Sequence, residues 1–133
     1  MATVSITDKN FEEITSKQGV VLIDFWAPWC APCRAFGPVF EKASDKHSDM
    51  VFGKLNTEEE QELAGGMGIH SIPTLMIYRD GILLFAQPGM LPANALEALI
   101  NKVNALDMDE VRKEVEKARA AKGASERTPG AEA

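Results

Sequence analysis

The chain has 133 residues, 45% of them hydrophobic and 26% charged, with a net charge of −6. That is the size and composition of one soluble globular domain, able to bury a core without disulfide staples. The acidic balance argues against a nucleic-acid partner, and no stretch is apolar for long enough to cross a bilayer, so no membrane partner is expected.

The first residues, MATVSITDKNFEE, carry neither a basic n-region nor an apolar h-region. No signal peptide is expected, and cytoplasmic localisation follows as the default. Residues 3–6 suit a short strand. Thr7 or Asp8 then caps a short helix through Phe11 and Ile14, closed by residues 17–19. VVLIDFW, residues 20–26, is apolar and β-branched, as a strand buried on both faces would be. Asp24 is out of place there, because burying its charge is expensive. Residues 27–32 form a turn rich in proline. From Cys33 onward Phe36, Val39, Phe40 and Ala43 fall at helical spacing, and Pro38 is expected to kink that helix.

Residues 50–56 suit a third strand. Thr57 and Glu60 fit a capping box for a helix that ends at Gly65-Gly66. Ser71-Ile72-Pro73 leads into the strand TLMIY, Arg79-Asp80-Gly81 is a hairpin turn, and ILLFAQ is the partner strand. Residues 92–104 form an amphipathic helix with Leu96, Leu99, Ile100 and Val103 on one face. Strands and helices in this order predict an α/β fold with helices around a mixed sheet. A last helix is expected to residue 122, with Asp107 and Glu110 at its start and an Asp109–Lys113 pair. Its apolar stripe is thin: Met108, Val111, Val115 and Ala118. The predicted organisation is therefore a domain over 1–105, an additional helix over 106–122 and a disordered tail over 123–133.

The chain's two cysteines both stand in WAPWCAPCRAF, residues 26–36. If Cys30 opens a helix, the unpaired N–H groups and the positive end of the helix dipole stabilise its thiolate. The thiolate is the attacking species in disulfide exchange. Cys33 lies about one turn on, within reach of a disulfide. Cys30 can then attack a foreign disulfide, and Cys33 can resolve the mixed disulfide. Pro32 gives up an N–H that the first turn does not need, and Trp29 offers a flat apolar contact. Three other uses of the pair stay open. They are a structural zinc site drawing on His47 and His70, a permanent structural disulfide, and two idle cysteines.

FWAPWCAPC, with Pro38, GIHSIPT and Pro88-Gly89 following in order, resembles the thioredoxin family from about Val4 to Val103. The resemblance implies a thioredoxin fold: a central mixed sheet of about five strands flanked by four helices, here with an extra C-terminal helix. It implies a thiol–disulfide oxidoreductase that reduces protein disulfides in cell redox homeostasis. It also implies recharging by a thioredoxin reductase with NADPH, and a monomer. No cofactor or metal is expected beyond the redox-active disulfide Cys30–Cys33. Cys30 would be the nucleophile, Cys33 the resolving thiol and Pro32 a redox-tuning residue. Asp24 would be a buried proton acceptor behind Cys33, with a pKa raised by desolvation and moderated by Lys54. Trp29, Ala31, Ile72, a cis Pro73, Pro88 and Gly89 would line a groove that pairs with the backbone of a substrate segment. Ala31 replaces the usual glycine, Pro88 and Met90 alter one groove wall, and residues 107–133 run past the family's usual end. That extension sustains an alternative: a binding or chaperone-like module whose cysteines are incidental.

Overall fold

The computed structural model describes residues 2–132, with side chains through Lys122. Its elements are β1 (Thr3–Ser5), α1 (Phe11–Thr15), β2 (Val20–Trp26), α2 (Ala31–Lys46), β3 (Val51–Asn56), α3 (Gln61–Gly66), β4 (Thr74–Arg79), β5 (Ile82–Pro88), α4 (Ala93–Ala105) and α5 (Met108–Glu132). The sheet order is β1-β3-β2-β4-β5. β3 runs parallel to both β1 and β2, whereas β4 is antiparallel to β2 and β5 to β4. The sheet is mixed, as expected.

β2 is central, and its residues from Val20 to Phe25 are buried. Alternation along a strand sends neighbouring side chains to opposite faces. Val20 and Leu22 pack with Phe36, Phe40 and Ala43 of α2 and with Leu96, Ile100 and Val103 of α4. Val21, Ile23 and Phe25 pack instead with Phe11 and Ile14 of α1 and Leu63 of α3. A helix layer therefore covers each face, which explains why β2 reads as a continuous apolar run. Phe36, Phe40 and Phe52 are fully buried, and Phe40 meets Phe52 edge-on at 5.2 Å between ring centroids. Each such side chain contributes roughly 1.5–3 kcal/mol by leaving water.

Several local expectations are corrected. α1 is preceded by Asn10, not capped by Thr7 or Asp8; the Phe11 N–H donates to the Thr7 carbonyl instead. α2 begins at Ala31, two residues before Cys33, because Pro32 fits a first turn that needs no N–H from it. No capping box forms at α3. Thr57 Oγ1 donates to the Trp26 carbonyl, and Glu60 accepts from the Asp8 N–H. In α5, Asp109 pairs with Arg112 at 2.6 Å and Lys113 with Glu110 at 3.5 Å, in place of the Asp109–Lys113 pair. The α5 backbone runs past the expected end at residue 122. The expected tail over 123–133 falls on residues whose side chains lie outside those described.

α5 is tied to the sheet at its start. Arg79 Nη1 donates to the carbonyls of Val103, Asn104 and Leu106, which end α4 and begin the joint. Asp107 Oδ1 accepts from the N–H groups of Asp109 and Glu110, the capping role expected for it. Met108 is buried, and Arg112 reaches Asp80 at 3.9 Å.

Candidate active site

β2 delivers the chain into the cysteine turn. After Trp26 the Cys30 N–H donates to the Ala27 carbonyl at 3.2 Å, closing the turn. Cys30 then takes an extended backbone conformation and stands as the N-cap of α2. Its Sγ accepts the Cys33 N–H at 3.2 Å. A sulfur thus satisfies one of the four donors that open every helix, in the place where serine or aspartate oxygens usually serve. Cys30 and Cys33 are joined as a disulfide with their Cα atoms 5.2 Å apart. Each is 4% exposed. Residue exposure therefore does not distinguish the two cysteines; the N-cap hydrogen bond does.

A second wall approaches from β4 and β5. The Ile72–Pro73 peptide is cis. The Ile72 carbonyl oxygen lies 3.7 Å from Cys30 Sγ, and Ile72 packs against both cysteines and Ala27. The Gly89 N–H donates to the Pro73 carbonyl at 2.8 Å, fixing the β5 end to the proline. Gly89 has φ +102°, a conformation that side chains with a Cβ rarely adopt. Pro88 is exposed beside it and stands opposite Thr74. On the near side, Trp29 is 65% exposed and Ala31 and Pro32 are exposed. Trp29 Nε1 donates to Glu58 Oε1. Of the expected groove residues, Ile72 is the one in contact with the cysteine cluster, and Gly89 is tied to Pro73 next to it.

Beneath the turn, Asp24 is fully buried. Strand alternation puts it on the face of Val20 and Leu22, the face that α2 covers. Neither carboxyl oxygen has a hydrogen-bond partner among the described residues. Burial pushes the Asp24 pKa up to about 7; Lys54 opposes that rise and Glu41 adds to it. Lys54 stands opposite Asp24 in the β2–β3 register. Its Nζ lies 3.8 Å from Glu41 Oε1 and 5.0 Å from the centre of the Trp26 ring.

Glu41 and Glu58 were not anticipated from sequence. Each reaches its partner only through the tertiary fold, and no spacing along the chain announces either contact. The zinc alternative finds no support in the histidines. His47 Nε2 pairs with Glu97 Oε2 at 2.7 Å, and no group of three potential ligands gathers among the described residues.

The sequence model of the Thioredoxin family matches residues 2–102. A putative thioredoxin 2 of Streptomyces coelicolor is 52% identical over 122 residues, covering 92% of this chain and 91% of that protein. The thioredoxin of Bacillus subtilis is 45% identical over 103 residues, which are 77% of this chain and 98% of the relative. A mutant thioredoxin from Halobacterium salinarum superposes with a TM-score of 0.72 at 31% identity, over 79% of this chain and 93% of that one.

Proposed function

The chain belongs to the thioredoxin family and is a thiol–disulfide oxidoreductase, and from that premise we propose that Cys30 is its nucleophile and Cys33 its resolving thiol. Membership brings disulfide-containing protein substrates and a thioredoxin reductase as partner. The redox-active group is the chain's own Cys30–Cys33 pair. The alternative, a binding module with incidental cysteines, is not favoured.

The observation that carries the assignment is the Cys33 N–H aimed at Cys30 Sγ at the start of α2. Such a donor and the helix dipole favour the anionic sulfur, lowering its pKa below the ordinary thiol value of about 8.5. In the reduced protein the Cys30 thiolate attacks one sulfur of a substrate disulfide. The substrate S–S bond breaks, a mixed disulfide forms and one substrate thiolate leaves. Cys33 then gives its proton to ionised Asp24 and attacks Cys30 Sγ. The mixed disulfide breaks, and the second substrate thiolate leaves. The substrate has gained two electrons, and the Cys30–Cys33 disulfide records their loss.

Asp24 suits the acceptor role because its pKa of about 7 lets both protonation states be populated near neutrality. Lys54, opposite it, moderates the charge, and Pro32 in the first turn of α2 tunes the redox poise. Trp29, Ala31, Ile72, Pro73, Pro88 and Gly89 form the substrate groove. The Ile72 backbone beside Cys30 is open to pairing with an extended segment. Residues 1–105 form the redox domain, and α5 is a helix added to it. The protein acts as a cytoplasmic monomer, with NADPH as the ultimate electron source through the reductase.

Insulin reduction with dithiothreitol tests this reading. The wild-type chain is expected to accelerate precipitation, and Cys30→Ser to abolish the effect. Cys33→Ser is expected to stall as a mixed disulfide visible on a non-reducing gel. Accumulation of that adduct in Cys30→Ser instead would reverse the assignment.

A further inference from the structure

Between α5 and the start of β5 runs an open groove of about 570 Å³. Leu83, Leu106, Val111 and Val115 form its apolar lining. Leu83 and Leu106 are exposed at 43% and 41%, uncommon for large apolar side chains in this molecule. The charged groups on the lining are all carboxylates, from Asp107, Glu110 and Glu114, with no lysine or arginine among the described residues. Both walls are anchored, since Arg79 holds the α4–α5 joint, Met108 is buried and Arg112 reaches Asp80. The start of the α5 wall is therefore held to the sheet.

The lining restricts what can sit there. A second copy would set the same carboxylates against themselves, on a chain already carrying −6. An added β-strand is opposed by the edge of β5. Its pairing passes from Ile77↔Phe85 to Tyr78↔Leu83, leaving Leu84 bulged without a cross-strand partner. A bulged edge resists further strand pairing. An occupant must therefore bring side chains: aliphatic ones for the floor and cationic ones for the rim. Glu110 and Glu114 face Lys113 at 3.5 Å and Lys117 at 3.8 Å, but these pairs are largely exposed. Exposed pairs contribute little, so exchange for a partner's cations costs little.

We infer that the β5–α5 groove docks a cationic amphipathic segment of a partner protein. Its aliphatic side chains pack on Leu83, Leu106, Val111 and Val115, and its lysines or arginines meet Asp107, Glu110 and Glu114. The surface is an addition to the redox domain. The Bacillus subtilis relative is matched over 98% of its length by 103 residues, about the size of this chain without α5. The 122 residues shared with the Streptomyces coelicolor relative necessarily extend into α5. The inference does not depend on the roles given to the cysteines.

The test uses the full chain, labelled with ¹⁵N, and an acetylated, amidated peptide of leucine and lysine at helical spacing. Its counterpart carries glutamate in place of lysine. Amide shifts are expected at residues 82–84 and 106–118 with the lysine peptide and not with the glutamate peptide. Combined Glu110→Lys and Glu114→Lys substitutions are expected to weaken binding at least tenfold. Leu83→Gln, which leaves α5 untouched, is expected to weaken it severalfold. Combined Glu12→Lys and Glu13→Lys on α1, an equal change in charge elsewhere, is expected to alter affinity less than twofold. All three variants retain insulin reduction. Equal weakening by the α1 reversal would reduce the effect to bulk charge and overturn the proposal. So would shifts confined to other residues, no shifts at all, or the same shifts on concentrating the protein alone, the signature of a second copy.

Discussion

A carboxyl group in the centre of β2 with no hydrogen-bond partner among the described residues makes stability depend on pH. Asp24 has an ordinary pKa of 3.8 and a folded value of about 7. Between those values the unfolded chain has lost this proton while the folded chain keeps it. The folded state then binds more protons, so stability falls as pH rises through the window and levels off above pH 7. The full effect is on the order of 4 kcal/mol at about 1.4 kcal/mol per pKa unit. Asp24→Asn should therefore exceed the wild type by about 2–4 kcal/mol in urea unfolding near pH 8, with the gap largely closing near pH 4. A pH-independent gap would remove the titrating carboxyl from the account. Asp24 was legible in the sequence because a carboxylate interrupts an apolar run. The Lys54 partner Glu41 and the Trp29 partner Glu58 were not, since each contact joins elements distant along the chain.

Elements with strong periodicity were read well, and their ends less so. β2 and α4 fall where apolar patterning puts them. α2 starts two residues before its apolar spacing indicates, because Ala31 and Pro32 open the helix without joining the stripe that begins at Phe36. The α3 capping box is absent because the helix starts at Gln61 with Glu60 as its N-cap, which leaves Thr57 outside it, bonded to the Trp26 carbonyl. β3 carries a further constraint that sequence did not reveal. A Cβ built on Gly53 would overlap the side chain of Ile6, which is buried at 1%. Gly53→Ala should cost about 1–3 kcal/mol by overpacking, seen as a lower urea midpoint with the m-value unchanged. Double substitution with Ile6→Val should recover part of that loss. A neutral Gly53→Ala would show that β1 shifts freely against β3.

At the scale of the molecule, a redox site sits at one end of β2, and the first turns of α5 flank a groove beside the start of β5. The two share no described contact. Truncation after Leu106 is accordingly expected to leave insulin reduction within about twofold of the full chain. It should lower stability by about 1–3 kcal/mol, through the lost burial of Met108. Loss of activity in a truncated chain that still unfolds cooperatively would tie α5 to the chemistry. The fold was legible because the order of strands and helices permits few sheets. The docking of α5 was not, because its thin stripe of Met108, Val111 and Val115 does not say which surface it meets. The most direct measurement is iodoacetamide alkylation of each cysteine in the reduced protein as a function of pH. Cys30 is expected to react first, with an apparent pKa below the free-thiol value of about 8.5. A Cys30 that titrates as a free thiol and reacts no faster than Cys33 would contradict the mechanism.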